Sequence, residues 1–284
     1  MRLEVPQGSQ EWIELRSSKI TATDSSVIME VSPWKTPYQL WMIKKGFLED
    51  SPQTEAMKRG LSLEPEARSK FEESFGERFS PTVIVSDEIT WMMASLDGIS
   101  ESGKEIVEIK CPLNRDDQRM ASEGLIPSKY YPQLQHQIAV CGVEKAHYYS
   151  YDGHEGAHVI VKRDEPYIKK MMELEKEFYE SLDNFVVPKM KEKDFIYRQD
   201  DDWEECVSLW RECSRLRKKY EDQENFFKSR LLEMCSGKNT KGCGISVSKH
   251  MRKGAIVYKN VPGIELLDVE KGRGDPIEVW RITE

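Results

Sequence analysis

Apolar residues in the first quarter of the chain recur three or four positions apart, the mark of helices with one buried face. "WIELR" predicts a short helix around Trp12 to Arg16, and "TATD" opens a second, with Thr23 or Asp24 as its cap. Thr36 followed by Pro37 starts a third, which ends at Gly46. Ala67, Phe71 and Phe75 line one face of a fourth that stops at Gly76; Pro65 either begins this helix or interrupts a longer one, with Glu64 at the junction. From residue 79 the period becomes two. "SPTVIVS", "TWMMAS" and "EIVEIK" predict three short strands in a meander, with turns at Asp87-Glu88 and from Asp97-Gly98 through Gly103. A helix over "PSKYYPQLQHQIAVCG", a strand pair over "AHYYSYDG" and "GAHVIVKR", and a long amphipathic helix from Asp164 and Pro166 follow. Helices before and after a sheet predict an α/β or α+β class.

The pattern shifts past Pro188. "DDWEECVSLWRECSRLRKKYEDQENFFKSRLLEMCSG" is a second long helix, with Trp203, Trp210, Phe227 and Leu231 near a spacing of seven and a stop at Gly237. "GCGISVSKHMRKGAIVYKN" reads as a hairpin and "IEVWRIT" as a last strand. We therefore expect a main domain over 1–188 and a C-terminal extension over 189–284.

With 284 residues, the chain is long enough to bury a substantial core. No apolar run approaches the roughly 20 residues of a membrane span, and "MRLEVPQGSQEW" lacks the basic-then-apolar order of a secretory signal, so a cytoplasmic protein is expected. Six scattered cysteines without C-x-x-C argue against a zinc or iron–sulfur cluster and for free thiols. The net charge of −8 has the wrong sign for a protein that coats nucleic acid. It is unevenly spread: residues 1–184 carry 22 Lys+Arg against 32 Asp+Glu, and residues 185–284 carry 20 against 18.

Two motifs invite chemistry. "HEGAH", residues 154–158, matches the zinc-protease pattern H-E-x-x-H, but it holds a glycine and runs straight into the strand "VIVK", where the two histidines cannot share one zinc as they would on a helix. The second is "SLDGISESGKEIVEIKCP". In a strand, Ile106, Glu108 and Lys110 share one face and Val107 and Ile109 the other. An ordinary same-face ion pair on a half-exposed strand is the plain alternative. Joined by Asp97 from the preceding strand and Glu64 from the helix, however, the set offers hard carboxylate oxygens, with the Ile109 carbonyl as a further ligand, suited to Mg²⁺ or Mn²⁺. Lys110 would orient or deprotonate a water and balance charge on a pentacovalent phosphate.

The order D-G, some ten residues, E-x-K resembles the nuclease signature of the restriction-endonuclease-like fold. Together with "WIELRSSKITATD", "RGLSLEPEAR", "SLDGI", "EIVEIKCP" and "YYPQLQHQIAVCG", in that order over residues 10–184, it resembles the lambda exonuclease and YqaJ-type viral recombinase family. The one departure is Leu96, where the family usually has proline. The resemblance implies a central mixed β-sheet flanked by helices, to which this chain adds a C-terminal helix and β-hairpin. It implies Asp97, Glu108, the Ile109 carbonyl and Glu64 at the metal and Lys110 as base or water-orienting group. It places Arg16, Thr23, Ser95 and, offset by one residue, Arg115 on a DNA 5′-phosphate, and Gln133 and Gln135 along the active site. For Arg16 the alternative is an ion pair with Glu11 or Glu14 on its own helix.

The activity so implied is Mg²⁺-dependent 5′-to-3′ exonuclease action on double-stranded DNA, leaving 3′ overhangs for phage-type recombination in a bacterial or phage-infected cytosol. A toroidal homotrimer around the duplex and a single-strand annealing partner belong to the same expectation. An endonuclease of the same fold and a non-cleaving DNA-end-binding module are the alternatives.

Overall fold

The computed structural model describes residues 1–252 together with Gly254, Gly274 and Pro276. Two compact units divide it, Met1–Tyr197 and Arg198–Glu284. In chain order the first contains β1 (Arg2–Leu3), α1 (Gln10–Ser18), β2 (Ile20–Thr21), α2 (Ala22–Ile28), α3 (Pro37–Lys44), α4 (Glu55–Phe75), β3 (Phe79–Val85), β4 (Met92–Ser100), β5 (Ile106–Lys110), α5 (Arg115–Ser122), α6 (Tyr131–Cys141), β6 (Lys145–Tyr151), β7 (Gly156–Lys162) and α7 (Glu165–Asp183). The described part of the second contains α8 (Asp201–Cys235), capped by Asp200 and closed by Ser236, and the strands β8 (Thr240–Gly242) and β9 (Ile245–Val247). These two strands pair antiparallel, so the described hairpin turns at Cys243-Gly244. The expected strand "IEVWRIT" and the "AIVYKN" arm of the expected hairpin lie outside the described residues. No helix among the described residues is long and apolar enough to cross a membrane.

The strands of the first unit form one mixed sheet in the order β1-β3-β4-β5-β6-β7, with β2 alongside β4. β3, β4 and β5 make the expected antiparallel meander, whereas β5 and β6 run parallel. That crossover passes through α5 and α6, as a parallel pair requires. One face of the sheet (Leu96, Ile99, Ile106, Ala146, Tyr148) packs with Leu134 and Ile138 of α6 and with Ile168 and Met171 of α7. The opposite face (Phe79, Val107, Ile109, Tyr149, Tyr151) packs with Ala67 and Phe71 of α4. β5 is therefore buried on both sides, which rules out the half-exposed strand of the plain reading.

The expected turn at Asp97-Gly98 does not form; both residues lie inside β4. The ladder pairs Ser80 with Ile99 and then Thr82 with Leu96, so Asp97 and Gly98 together oppose Pro81 in a β-bulge. Pro81 has no N–H to give the ladder, which suits it to this place. Leu96 and Ile99 consequently share the face under α6 although they are three apart. The turn comes later, at Glu101–Lys104, with Gly103 at φ +71°.

Local chemistry sets the helix starts. Thr21, rather than Thr23 or Asp24, caps α2: its Oγ1 accepts the Asp24 N–H, and the Asp24 carboxylate accepts the Thr21 N–H in return. Thr36 and Gln39 make the same reciprocal pair at α3, with Pro37 in the first turn. α4 begins a full ten residues before Pro65 and carries it in its interior, resolving the open alternative in favour of the longer helix.

Two substitutions test this packing in opposite directions. A Cβ on Gly98 would meet Phe79 Cβ and Val107 Cγ1 at 2.8 Å, so Gly98→Ala should lower stability in a urea titration by about 1–3 kcal/mol. Gly60 lies within α4, where a methyl group would meet nothing within 4 Å, and Gly60→Ala should raise stability by about 0.5–1 kcal/mol.

Candidate active site

The bulge determines where Asp97 can reach. Its Oδ2 accepts the backbone N–H of Ile109 at 2.7 Å, placing a carboxylate at the peptide between Glu108 and Lys110. Glu108 is 2% exposed, and the contacts of its carboxylate are charged or amide donors. Oε1 accepts from Lys110 Nζ and Gln133 Nε2, both at 2.5 Å, and Oε2 accepts from Gln137 Nε2 at 2.5 Å. From the other face of the sheet Arg68 of α4 donates Nε–H to the Asp97 carbonyl at 2.8 Å and pairs through Nη2 with Glu64. Asp97 thus stands between Glu108 under α6 and Glu64 on α4. A cleft of about 560 Å³ lined in part by Leu61, Glu64, Pro65, Pro81 and Thr82 opens at this side.

The electrostatics follow from that crowding. Burial, then the neighbouring Glu108 and Glu64 charges, hold the Asp97 carboxyl well above the usual carboxylate range, against Lys110 and the Ile109 amide. Burial alone would lower the Lys110 ammonium, but Glu108 and Asp97 outweigh it and keep the group charged beyond its ordinary range. The two cysteines of the first unit, Cys111 and Cys141, are a poor source of nucleophile. All six are free, and burial pushes Cys111 up to about 11 and Cys141 up to about 12.

No three His, Cys, Asp or Glu side chains among the described residues already surround a point that an ion could fill. Glu64, Asp97 and Glu108 are each turned to a protein donor instead. The donor set nevertheless fits a hard divalent cation: the carboxylates are crowded enough to raise Asp97, and every oxygen in the group is of the type Mg²⁺ or Mn²⁺ prefers.

A second group lies on α1, α2 and β4. Arg16 Nη2 donates to Thr23 Oγ1 at 3.1 Å, and its guanidinium stacks 4.6 Å from the Trp12 ring centroid. Trp12 Nε1 donates in turn to Ser95 Oγ at 2.8 Å. Arg16, Thr23 and Ser95 are therefore linked through Trp12, and Arg16 does not use Glu11 or Glu14 for these contacts. Below them the nearly buried Lys44 donates to the carbonyls of Arg16 and Lys19 and pairs with Asp24 at 2.8 Å, tying the end of α1 to α2. Burial would raise Asp24, but Lys44 and Arg16 prevail and hold it below the usual range.

Two expectations need correction. Gln135 does not face the site; its Nε2 donates to the Lys162 carbonyl and its Oε1 accepts the Asp164 N–H. Two residues along a helix is more than half a turn, so Gln133 shares its face with Gln137, four residues on, and it is Gln137 that reaches Glu108. Arg115 opens α5 as an exposed residue, and none of the contacts in the Arg16 group includes it. Trp12, Arg68 and Gln137, all missed in the sequence, each stand four residues from a residue singled out there, and that spacing was the available signal.

His136, beside Gln137, is fully buried. Its Nδ1 lies 2.8 Å from Glu175 Oε1 and 2.9 Å from Ser25 Oγ, and Nε2 lies 3.1 Å from the Met93 carbonyl. Serine, histidine and carboxylate suggest a nucleophilic triad, but all three are wholly enclosed, so the set pins α6 to α2, α7 and β4.

Residues 11–144 match the YqaJ-like viral recombinase domain. The protein YqaJ of Bacillus subtilis (strain 168) is 30% identical over 175 residues, 60% of this chain and 54% of that protein, so the chain spans about half the length of this relative. An alkaline exonuclease of Laribacter hongkongensis, LHK-Exo, superposes with a TM-score of 0.55 at 25% identity over 63% of this chain and 94% of that one. Its complex with dAMP gives the same TM-score at 24% identity. The mixed sheet flanked by helices is thus the fold of a solved exonuclease.

Binding of Mn²⁺ followed by electron paramagnetic resonance gives a test independent of turnover. Wild type should bind the ion, and Asp97→Asn and Glu108→Gln should each weaken binding by about tenfold or more, with the variants' circular dichroism unchanged.

Proposed function

We propose, for a chain whose residues 11–144 match the YqaJ-like viral recombinase domain, that it is a divalent-metal-dependent exonuclease. It degrades one strand of double-stranded DNA from the 5′ end and leaves a 3′ overhang for homologous recombination. The observation that carries this reading is the meeting of Asp97, Glu108 and Lys110 at the Ile109 peptide, with Glu64 beside them. The likeness to an alkaline exonuclease supports it.

Asp97, Glu108, Glu64 and the Ile109 carbonyl are the proposed cation ligands. When bound there, Mg²⁺ or Mn²⁺ supplies Lewis-acid polarisation of the phosphate and acidifies a water. Gln133 and Gln137 fix the Glu108 carboxylate from both oxygens, so the site is organised before substrate arrives. Lys110, kept as an ammonium, directs its N–H donors toward the attacked phosphate; its charge supports the orienting and charge-balancing role over that of a base. Arg16 and Thr23, with Ser95 through Trp12, form the proposed 5′-phosphate pocket, and the residues from Arg198 on form a separate unit. A homo-oligomer around the duplex and an annealing partner complete the proposal.

Plasmid digestion with Mg²⁺ tests the activity directly: linear DNA should disappear and covalently closed circles persist. Cleavage of the circles would establish an endonuclease instead. Lys110→Ala should lower the linear rate by about a thousandfold with the fold intact.

The pocket is tested on linear duplexes that differ only at the end. Wild type should degrade a 5′-phosphorylated duplex at least roughly tenfold faster than a 5′-hydroxyl one, since charge-assisted bonds from Arg16 favour the extra charge. Arg16→Ala should abolish the preference, and equal wild-type rates would remove the pocket.

A further inference from the structure

The loop between α2 and α3 leaves Trp34 64% exposed. The residue is not adrift, because its N–H and that of Lys35 both reach Ser32 Oγ, and the following Thr36 caps α3. Its ring lies 6.3 Å from that of Tyr130 with an interplanar angle of 35°. Tyr130 is the link to the catalytic group: Lys110 Nζ stands 5.1 Å from its ring centroid. From below, Tyr130 stacks on the buried Tyr148 at 5.9 Å and 29°. Lys129 completes the group, with Nζ 5.5 Å from the Trp34 ring and 5.1 Å from the Tyr130 ring, and with Asp117 Oδ2 at 2.6 Å.

We propose that Trp34 and Tyr130 are a stacking platform for an unpaired nucleobase of the strand being cleaved. The proposal rests on the nuclease reading and adds a subsite to it. A single aromatic ring separates Trp34 from Lys110, so a base on the platform belongs to a nucleotide one or two steps from the phosphate under attack; adjacent nucleotides of a stacked strand rise by about 3.4 Å. Inside a duplex both faces of a base are covered by its neighbours. Only a base released from pairing at the end offers a face to Trp34, and every base has such a face, so the contact selects an opened end without selecting sequence. Lys129, held in place by Asp117, offers its remaining N–H donors to the adjoining phosphate. The exposure of Trp34 is thereby explained by a ligand of matching shape and polarity.

The test measures KM and kcat of the full-length protein with Mg²⁺ on 5′-phosphorylated linear duplexes carrying one abasic residue at one of the first positions of either the 5′-terminated or the 3′-terminated strand. At one position the lesion should raise the wild-type KM by about tenfold, the range expected for the loss of one stacked base. Trp34→Ala should raise KM on intact DNA by a similar factor and be indifferent to the lesion; Trp34→Phe should restore most of the loss and the sensitivity. Because the side chain is exposed, these variants should keep the wild-type circular dichroism and melting temperature. 2-Aminopurine at the sensitive position should be quenched by wild type and bright with Trp34→Ala. The platform is overturned if wild type and Trp34→Ala respond equally to every lesion, or if the sensitive base lies in the 3′-terminated strand. Wild type that leaves linear duplex intact would overturn the nuclease reading itself; normal degradation by wild type and Trp34→Ala alike overturns the platform alone.

Discussion

The hydrogen bond from the Ile109 amide to the Asp97 carboxylate is the constraint on which the site depends. It forms because β4 gives up regular pairing at this point. Two residues, Asp97 and Gly98, oppose the single Pro81, which has no N–H to contribute. Gly98 permits the bulge to close, since any side chain there would collide with Phe79 and Val107 on the neighbouring strands. In a regular ladder, a slip of one residue would move every later side chain of β4 to the other face. Here the extra residue keeps Ile99 in the core beneath α6 and sends the Asp97 side chain to the adjoining peptide of β5. Glu108 approaches that peptide from the α6 side, and Arg68 brings Glu64 from the α4 side. The carboxylates therefore meet across a sheet whose two faces are packed mainly by apolar side chains.

Burying the Glu108 carboxylate in such a place requires compensation, because an unpaired buried charge costs several kcal/mol. Lys110 supplies the opposite charge and the two glutamines of α6 supply neutral donors, so both oxygens are bonded. The same helix spreads its remaining polar side chains around its circumference. Gln135 holds the junction of β7 and α7, while His136 holds α2, α7 and β4. A helix so rich in buried polar residues resists displacement in every direction, since each sideways shift would strand at least one donor or acceptor at about 1–3 kcal/mol. The rigidity that α6 owes to these bonds is what positions Gln133 and Gln137 on Glu108.

Much of this was legible in the sequence because local rules agree with the fold. The helices over 10–18, 37–44 and 165–183, the meander, and the pair β6–β7 all follow from period and from capping residues. Asp97, Glu108, Lys110 and Glu64 were identifiable from order and spacing. What escaped was set by three-dimensional context. Asp-Gly is a strong turn signal on its own, but the closeness of Phe79 and Val107 gives this glycine a different reason to exist, and the turn moved to Gly103. Thr21, Thr23 and Asp24 are all competent caps; β2 pairing with β4 fixed the helix start at Thr21 and left Thr23 for Arg16. Gln135 against Gln137 was decidable by helical geometry, since only the latter lies four residues from Gln133. Arg115 carried only a neighbouring position in a motif, and nothing local ties it to the Arg16 group.

The acidic balance of the first 184 residues takes on a different meaning beside this geometry. Net charge governs long-range attraction, but a phosphate at contact distance responds to the groups within a few ångströms. Several acids of the first unit are already committed to internal cations: Asp24 to Lys44, Glu64 to Arg68, Glu108 to Lys110 and Asp117 to Lys129. These pairs fix cations in place at the cost of local positive potential, so the surface lacks the strong nonspecific attraction that would let a basic enzyme settle anywhere along a duplex. Arg16 differs in that its hydrogen bond goes to a hydroxyl and its guanidinium lies over an aromatic face, while the acid nearest it, Asp24, is paired to Lys44. An arginine presented in that way, on an otherwise acidic unit, makes binding depend on a feature that concentrates charge at one point. On the proposed function, a terminal phosphate meets that requirement better than any internal diester, and the weak grip elsewhere is then what would make the end distinguishable from the rest of the duplex.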